Sequence, residues 1–273
     1  AMIIASSNAD VASFNEQVRR RLFPDKEDVT QGDKLVVVMN CLVDGNALNN
    51  GDLVYVTRVG GAPESRSVTL RNKNKSTGKV EETEVALRFR DVQIGFRLPS
   101  GEAVRANVKV VESLLYSGHP NLSSDETKAL YIDFKRRNPH LAKRGKELRD
   151  ALRDDSYFNA LRVKFGYALT CHKSQGSEWA DVFVQCKTHH ANPRTEEYFR
   201  WLYTAITRAS KRAHLLNPPH FRPWQDLGGA GSPAQPGPAT PPTNPVPDAP
   251  ATDDPAHLRV PPFEPELDRS DEV

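Results

Sequence analysis

The 273 residues carry 37 Lys and Arg against 35 Asp and Glu, with 38% hydrophobic residues and 21 prolines, a balance that suits a globular protein of one or two domains. No window approaches the roughly 18 to 20 uninterrupted apolar residues that a bilayer-spanning helix needs, and the opening AMIIASSNAD lacks the basic start and apolar core of a signal peptide. No membrane partner and a cytoplasmic location are therefore expected. The near-neutral total hides an asymmetry: Gly228–Val273 has 8 acidic and 2 basic residues, leaving 35 basic and 27 acidic before it, so a body of net +8 precedes a tail of net −6. Such a body permits contact with a polyanion without requiring it. Cys41, Cys171 and Cys186 are odd in number and far apart, which supports neither a disulfide framework nor a metal site.

In chain order, Ile3-Ile4-Ala5 predicts a strand, Ser6-Ser7-Asn8 a polar turn, and Val11, Phe14, Val18 and Leu22 an amphipathic helix. From Gln31 to about Leu98 the pattern changes to short strands at Lys34–Met39, Asp52–Val59, Ser67–Arg71 and Val85–Phe89, separated by Asp44-Gly45, Asn50-Gly51, Gly60-Gly61 and Thr77-Gly78, which suggests a small antiparallel barrel. The stretch from Asn107 to Ala160 reads mainly as helix, broken at Pro120 and Pro139. Its basic runs, Lys135-Arg136-Arg137 and Lys143-Arg144-Gly145-Lys146, either grip phosphates or form a solvated face. An α/β rhythm then returns, with a buried strand over Val163–Leu169, another over Asp181–Cys186, an amphipathic helix over Thr195–Ser210 and a last strand over Arg212–Leu216. In that helix Phe199, Leu202, Tyr203 and Ile206 read as the core stripe, Thr195 as the cap, and Glu196 with Glu197 as suited to the positive end. The tail holds 12 of the 21 prolines and few large apolar residues, so it reads as disordered, with Leu258, Val260 and Phe263 as short islands able to engage a protein partner.

Two clusters could carry chemistry. Thr170-Cys171-His172-Lys173-Ser174-Gln175-Gly176-Ser177-Glu178 follows the strand expected over 163–169, where open α/β sheets place ligands. There Gly176 lets the backbone approach a ligand, and Gln175 and Glu178 offer directional hydrogen bonds to a base or ribose. A polar loop satisfied over the sheet edge explains the same residues. The second cluster, Tyr203-Thr204-Ala205-Ile206-Thr207-Arg208-Ala209, ends a helix with an arginine, the side chain suited to phosphate and to charge on a transferring phosphoryl group. An arginine in a last helical turn also simply favours the helix dipole.

T-C-H-K-S-Q-G-S-E-W-A-D-V-F-V at 170–184 and W-L-Y-T-A-I-T-R-A-S-K-R at 201–212 resemble motifs V and VI of superfamily 1 DNA helicases, specifically the C-terminal half of the RecD-like group related to UvrD. Ser7-Asn8-Ala9-Asp10 is similar to motif IV, and Gly32-Asp33-Lys34-Leu35 through Asn50-Gly51-Asp52-Leu53-Val54 resembles the start of that group's SH3-like barrel. The resemblance implies an α/β fold: a second RecA-like parallel-sheet domain (1–30 and 163–227), interrupted by an SH3-like barrel (31–98) and a mainly helical insertion (99–162), then the Pro-rich tail (228–273). It further implies that Arg208 is an arginine finger for the γ-phosphate. Lys173, Gln175, Gly176 and Glu178 would lie by the nucleotide. Ser7, Asn8, Thr170, His172 and Thr204 would lie on a single-stranded DNA track. ATP and Mg2+ would be held mainly by an N-terminal RecA-like domain acting as partner.

Two departures accompany the resemblance. Ser6–Asp10 contains no arginine, so no second phosphate sensor is assigned, and no G-x-x-x-x-G-K-[ST] phosphate loop or strand-end magnesium pair occurs in the chain. The expected function is thus the C-terminal portion of an ATP-dependent helicase or translocase, with 5′ to 3′ travel favoured and the chain alone inactive. A non-catalytic nucleic-acid or protein binding module derived from a helicase half is the alternative, and a barrel adaptor using the tail a third reading.

Overall fold

The computed structural model describes residues 1–73, 80–141, 145–188 and 195–219. The tail, Thr77-Gly78 and the Lys143-Arg144 part of the basic run lie outside them. Strand β1 (Met2–Ala5) leads through Ser7 into helix α1 (Asn8–Leu22). Strands β2 (Lys34–Val37), β3 (Cys41–Val43), β4 (Asn46–Leu48), β5 (Leu53–Val59), β6 (Glu64–Lys73), β7 (Val80–Arg97) and β8 (Ala103–Val111) follow. Helices α2 (Glu112–Tyr116), α3 (Ser124–Arg137) and α4 (Lys146–Asp154) come next. Then come β9 (Val163–Phe165), β10 (Ala168–Thr170), the short helix α5 (Cys171–Ser174), β11 (Trp179–Gln185), α6 (Glu196–Ile206) and β12 (Ala209–Leu216). No helix among the described residues is long and apolar enough to cross a membrane.

The first strand and the last three build one four-stranded sheet, order β10-β1-β11-β12, with every pairing parallel. Met2 and Ile4 on β1, Leu169 on β10, Val182 and Val184 on β11 and Ala205 on α6 are buried together on it. Alternate residues on these strands share a face, which is why Met2 and Ile4 register with Val182 and Val184. The chain is thus mixed α/β with a parallel sheet closed by segments that are distant in sequence.

Between β1 and β10 the chain builds an antiparallel sheet in the order β6-β7-β5-β2-β9, with β8 paired to β7. Leu161 closes the path: it bridges Val110, its N–H donates to Lys109 O at 2.7 Å, and its carbonyl accepts from Val111 N at 3.1 Å. Within this circuit lie Leu35, Val37, Val54, Val56, Ile94, Val110 and Val163, all buried. Helix α3 starts at a capping box, in which Glu126 N donates to Ser123 Oγ at 3.2 Å and Ser123 N to Glu126 Oε2 at 2.7 Å. It covers the β6–β7 hairpin by packing Ala129 against Val68 and Leu70.

Four expectations are corrected. The strand expected over Val163–Leu169 is two strands: β9 pairs antiparallel with β2, and β10 pairs parallel with β1. Gly166 stands at the break, packed so closely that a Cβ there would sit 3.0 Å from Leu35 C and from Leu53 Cδ2. The segment expected to be helical from Asn107 instead begins in β8, whose backbone pairs antiparallel with β7. On α1 the buried residues are Asn15 and Arg19, while Leu22 is 57% exposed. The polar pair is buried because it finds distant partners. Asn15 Oδ1 accepts from Tyr167 N at 2.8 Å and Ala168 N at 2.9 Å, and Arg19 meets Asp33. Finally, the core face of α6 runs through Tyr198 and Ala205 with Trp201 and Leu202 partly buried, while Phe199 and Tyr203 are 47% and 71% exposed. Both stripes are apolar at helical spacing, so periodicity alone does not select between them.

Candidate nucleotide and nucleic-acid site

Parallel strands give the sheet two distinct edges, and the expected site residues divide between them. At the carboxyl edge Ala5 registers with Thr170, so the chain leaving β1 and the chain leaving β10 emerge side by side. Ser7 caps α1 there, its Oγ accepting from Asp10 N at 3.1 Å and donating to Asp10 Oδ2 at 2.7 Å, and exposed Asn8 opens the helix. Thr170 precedes α5, and its hydroxyl makes no capping bond to that helix. His172 is exposed and Lys173 half-buried. Ser7, Asn8, Thr170 and His172 are therefore brought together. A groove of about 820 Å3 opens beside Asn8, Thr170 and Lys173 and continues along α1.

At the amino edge Trp179 registers with Ala209, and Trp179 N donates to Arg208 O at 2.9 Å. Glu178 and Arg208 immediately precede those strands, so they meet at this end. Thr195 caps α6 by accepting from Tyr198 N at 3.2 Å, and Arg208 follows the other end of the helix. Its Nε donates to Thr204 O at 3.1 Å and its Nη2 to Thr207 Oγ1 at 3.2 Å. No carboxylate pairs with it among the described residues. A guanidinium held by a carbonyl and a hydroxyl, with no carboxylate beside it, is open to an external anion. Thr204 lies on α6 with its hydroxyl donating to Arg200 O at 2.9 Å and its carbonyl accepting from Arg208 Nε at 3.1 Å.

The connection from β10 to β11 joins the two edges. In α5, Ser174 Oγ donates to Cys171 O at 2.7 Å, and Gln175 N to His172 O at 3.3 Å. Gly176 then turns the chain at φ +80°, a conformation that disfavours side chains, although the space beside it is open. Gln175 and Glu178 are exposed. The placement expected from strand ends is thus corrected for Glu178: the loop starts at a carboxyl edge, but this residue reaches the amino end of β11. Sequence reasoning missed Lys164, which lines the groove, because nothing marks it apart from other charged residues in strands.

Residues 165–216 match the UvrD-like helicase C-terminal domain. The match includes Thr170–Glu178 and Thr204–Arg208. Over 54 residues the chain is 44% identical to uncharacterized protein R530 of Acanthamoeba polyphaga mimivirus, which amounts to 20% of this chain and 11% of that protein. It is also similar to the solved structure of Pif1 helicase from Candida albicans, at 14% identity and a TM-score of 0.38, over 79% of this chain and 44% of that one. A Pif1 helicase from Bacteroides in complex with ADP-AlF3 and ssDNA is similar at 12% identity and a TM-score of 0.34, over 78% of this chain and 39% of that one. The chain therefore spans less than half the length of these solved structures and about a tenth of the curated relative.

Proposed function

We propose that this chain is the second half of a superfamily 1 helicase or translocase motor, RecD-like in its group and travelling 5′ to 3′ on single-stranded DNA. The reading takes the parallel sheet as a RecA-like domain (1–30 and 163–227). Residues 31–98 are its SH3-like barrel, 99–162 a mainly helical insertion that opens with the strand β8 paired to β7, and 228–273 a Pro-rich tail open to a protein partner. A separate N-terminal RecA-like domain binds Mg2+ and ATP. Arg208 reaches the γ-phosphate from outside that domain, while Gln175, Gly176 and Glu178 approach the nucleotide and Lys173 lies between the nucleotide and the strand. Ser7, Asn8, Thr170, His172 and Thr204 serve the DNA track, and the protein works in the cytoplasm.

The observation that carries this reading is the state of Arg208. It lies within the stretch matching the helicase domain, at the same sheet edge as Glu178, and has no carboxylate partner among the described residues. Charge stabilisation of phosphoryl transfer needs such a cation, and arginine fingers contribute roughly 10³-fold or more to turnover. In the protein or complex that carries this chain in its source, Arg208→Ala should lower DNA-stimulated ATP hydrolysis by that factor with ATP affinity little changed. Near-normal turnover would refute the finger.

The missing phosphate-loop sequence favours a second reading, a nucleic-acid binding module without ATPase activity. The two part on one measurement. If the native polypeptide or its stable complex contains no Walker-type ATPase domain, the binding module is correct.

A further inference from the structure

The groove beside Asn8 and Thr170 has a volume of about 820 Å3, within the roughly 300–1,000 Å3 of small-molecule sites, and is lined by α1, by residues 115–120 and by β9 and β10. Its features fall into a charged part and an apolar part. Lys164 donates from Nζ to Leu114 O and to Ser117 O, both at 2.6 Å, which engages two of the three ammonium protons. Lys173 lines the same groove, and neither lysine pairs with a carboxylate among the described residues. Burial pushes Lys164 down to about 8, with the nearby charge of Lys173 adding to the effect, and burial lowers Lys173 as well. The charge of Glu126 offsets this only in part, and Glu16 and Glu27 line the groove without an ion pair to either lysine, so an anion from outside stabilises the two mutually repelling ammonium groups. The apolar part is the exposed ring of Tyr116, backed edge to face by buried Phe165 at a centroid distance of 5.7 Å, with Arg19 covering the Phe165 ring and Val11 and exposed Ala12 also lining the groove.

An anion attached to a flat apolar body matches both parts. We propose that this groove is a nucleotide seat, with a phosphate held between Lys164 and Lys173 and its base laid against Val11, Ala12 and the exposed ring of Tyr116. It rests on the reading of the carboxyl edge as a single-strand track in one respect only: the seat shares its mouth with Thr170 and Asn8, so a base swung out of a bound strand enters it directly. A free nucleotide has the same chemistry, and the test separates the two sources.

The full chain is titrated with an oligothymidylate of about a dozen residues, within the size range of single-strand sites, carrying 2-aminopurine at each position in turn. Binding is followed by anisotropy and base environment by 2-aminopurine fluorescence. A base taken from the strand into the groove gives one position whose emission departs from the rest. Ala12→Trp, which fills the groove from an exposed position on α1, abolishes that signal. Lys164→Gln, which keeps a donor for the two carbonyls, combined with Lys173→Gln weakens strand binding about tenfold, the loss of charge-assisted contacts. A uniform signal along a bound strand, or a distinct position that survives Ala12→Trp, overturns a seat for strand bases while the track reading stands. Saturable binding of 2-aminopurine riboside 5′-monophosphate that Ala12→Trp removes, without strand binding, upholds the seat for free nucleotides and overturns the track. Binding of neither probe overturns both.

Discussion

Removing Asp33 should destabilise the chain far more than any surface change. The Asp33 carboxylate is fully buried, and its partner Arg19 is 8% exposed at the side chain. Oδ1 accepts from Arg19 Nε at 3.0 Å and from Tyr167 Oη at 2.8 Å, and Oδ2 from Arg19 Nη2 at 3.2 Å and Thr30 N at 2.8 Å. Arg19 also donates to Lys26 O at 2.9 Å and to the Asp28 carbonyl. This one pair ties α1 to the start of β2 and, through Tyr167, to β10. Asp33→Ala leaves the guanidinium buried without its counter-charge, which costs about 3–5 kcal/mol, a large share of the roughly 5–15 kcal/mol that holds a domain together. Arg19→Met should cost a similar amount by stranding the carboxylate. The double replacement Arg19→Met with Asp33→Leu should fall well short of the sum, with a coupling of about 2 kcal/mol or more, because no orphaned charge remains. Urea unfolding with linear extrapolation measures all three. Single costs under about 1 kcal/mol, or simple additivity, would refute the claim that this pair acts as a unit.

Three further outcomes follow from the same geometry. Gly166→Ala should destabilise by about 1–3 kcal/mol in thermal or urea melts, since the added Cβ would meet Leu35 C and Leu53 Cδ2 at 3.0 Å in a tightly packed junction. Tyr198→Phe should cost about 1 kcal/mol by orphaning the buried Cys186 carbonyl that Tyr198 Oη donates to at 3.1 Å, whereas Tyr203→Ser, at an exposed position, should stay within about 0.5 kcal/mol. Lys164 gives a pH signature. Its folded value of about 8 lies below the ordinary 10.5, so between those values the unfolded chain binds more protons and stability rises with pH. Relative to Lys164→Met, the wild-type unfolding free energy should therefore climb from about pH 8 to about pH 10, and a parallel pair of curves would refute the burial of a charged Lys164.

Where the determining interactions are local, the sequence was legible. The Thr195 cap, strand β1 and the polar turn Ser6-Ser7-Asn8 that opens α1 were visible because each is written in neighbours within a few residues. The break at Gly166 was not, since what forbids a side chain there belongs to Leu35 and Leu53, more than a hundred residues earlier. The buried face of α1 was hidden for the same reason. Asn15 and Arg19 look like solvent residues until Ala168 and Asp33 are brought to them. On α6 the difficulty was different, for two apolar stripes compete and Tyr198 is the residue turned inward, its hydroxyl donating to Cys186 O.

Contiguity misled in one instructive place. Thr170 to Glu178 reads as a single site, yet its two ends stand at opposite edges of the parallel sheet, Thr170 beside the exit of β1 and Glu178 beside Arg208. What joins them is α5, and α5 is not free to move alone. Cys171 is buried with Sγ 3.7 Å from Trp201 O on α6, and Ser174 is buried with its hydroxyl on Cys171 O. Arg208 follows directly on the end of that same α6. Within the proposed motor, a pull on Arg208 by a phosphate would load α6, and through Trp201 and Cys171 would load the helix that starts at Thr170. A chain of packed elements is one route by which two edges can be coupled, and the contact of Cys171 with Trp201 supplies its middle link.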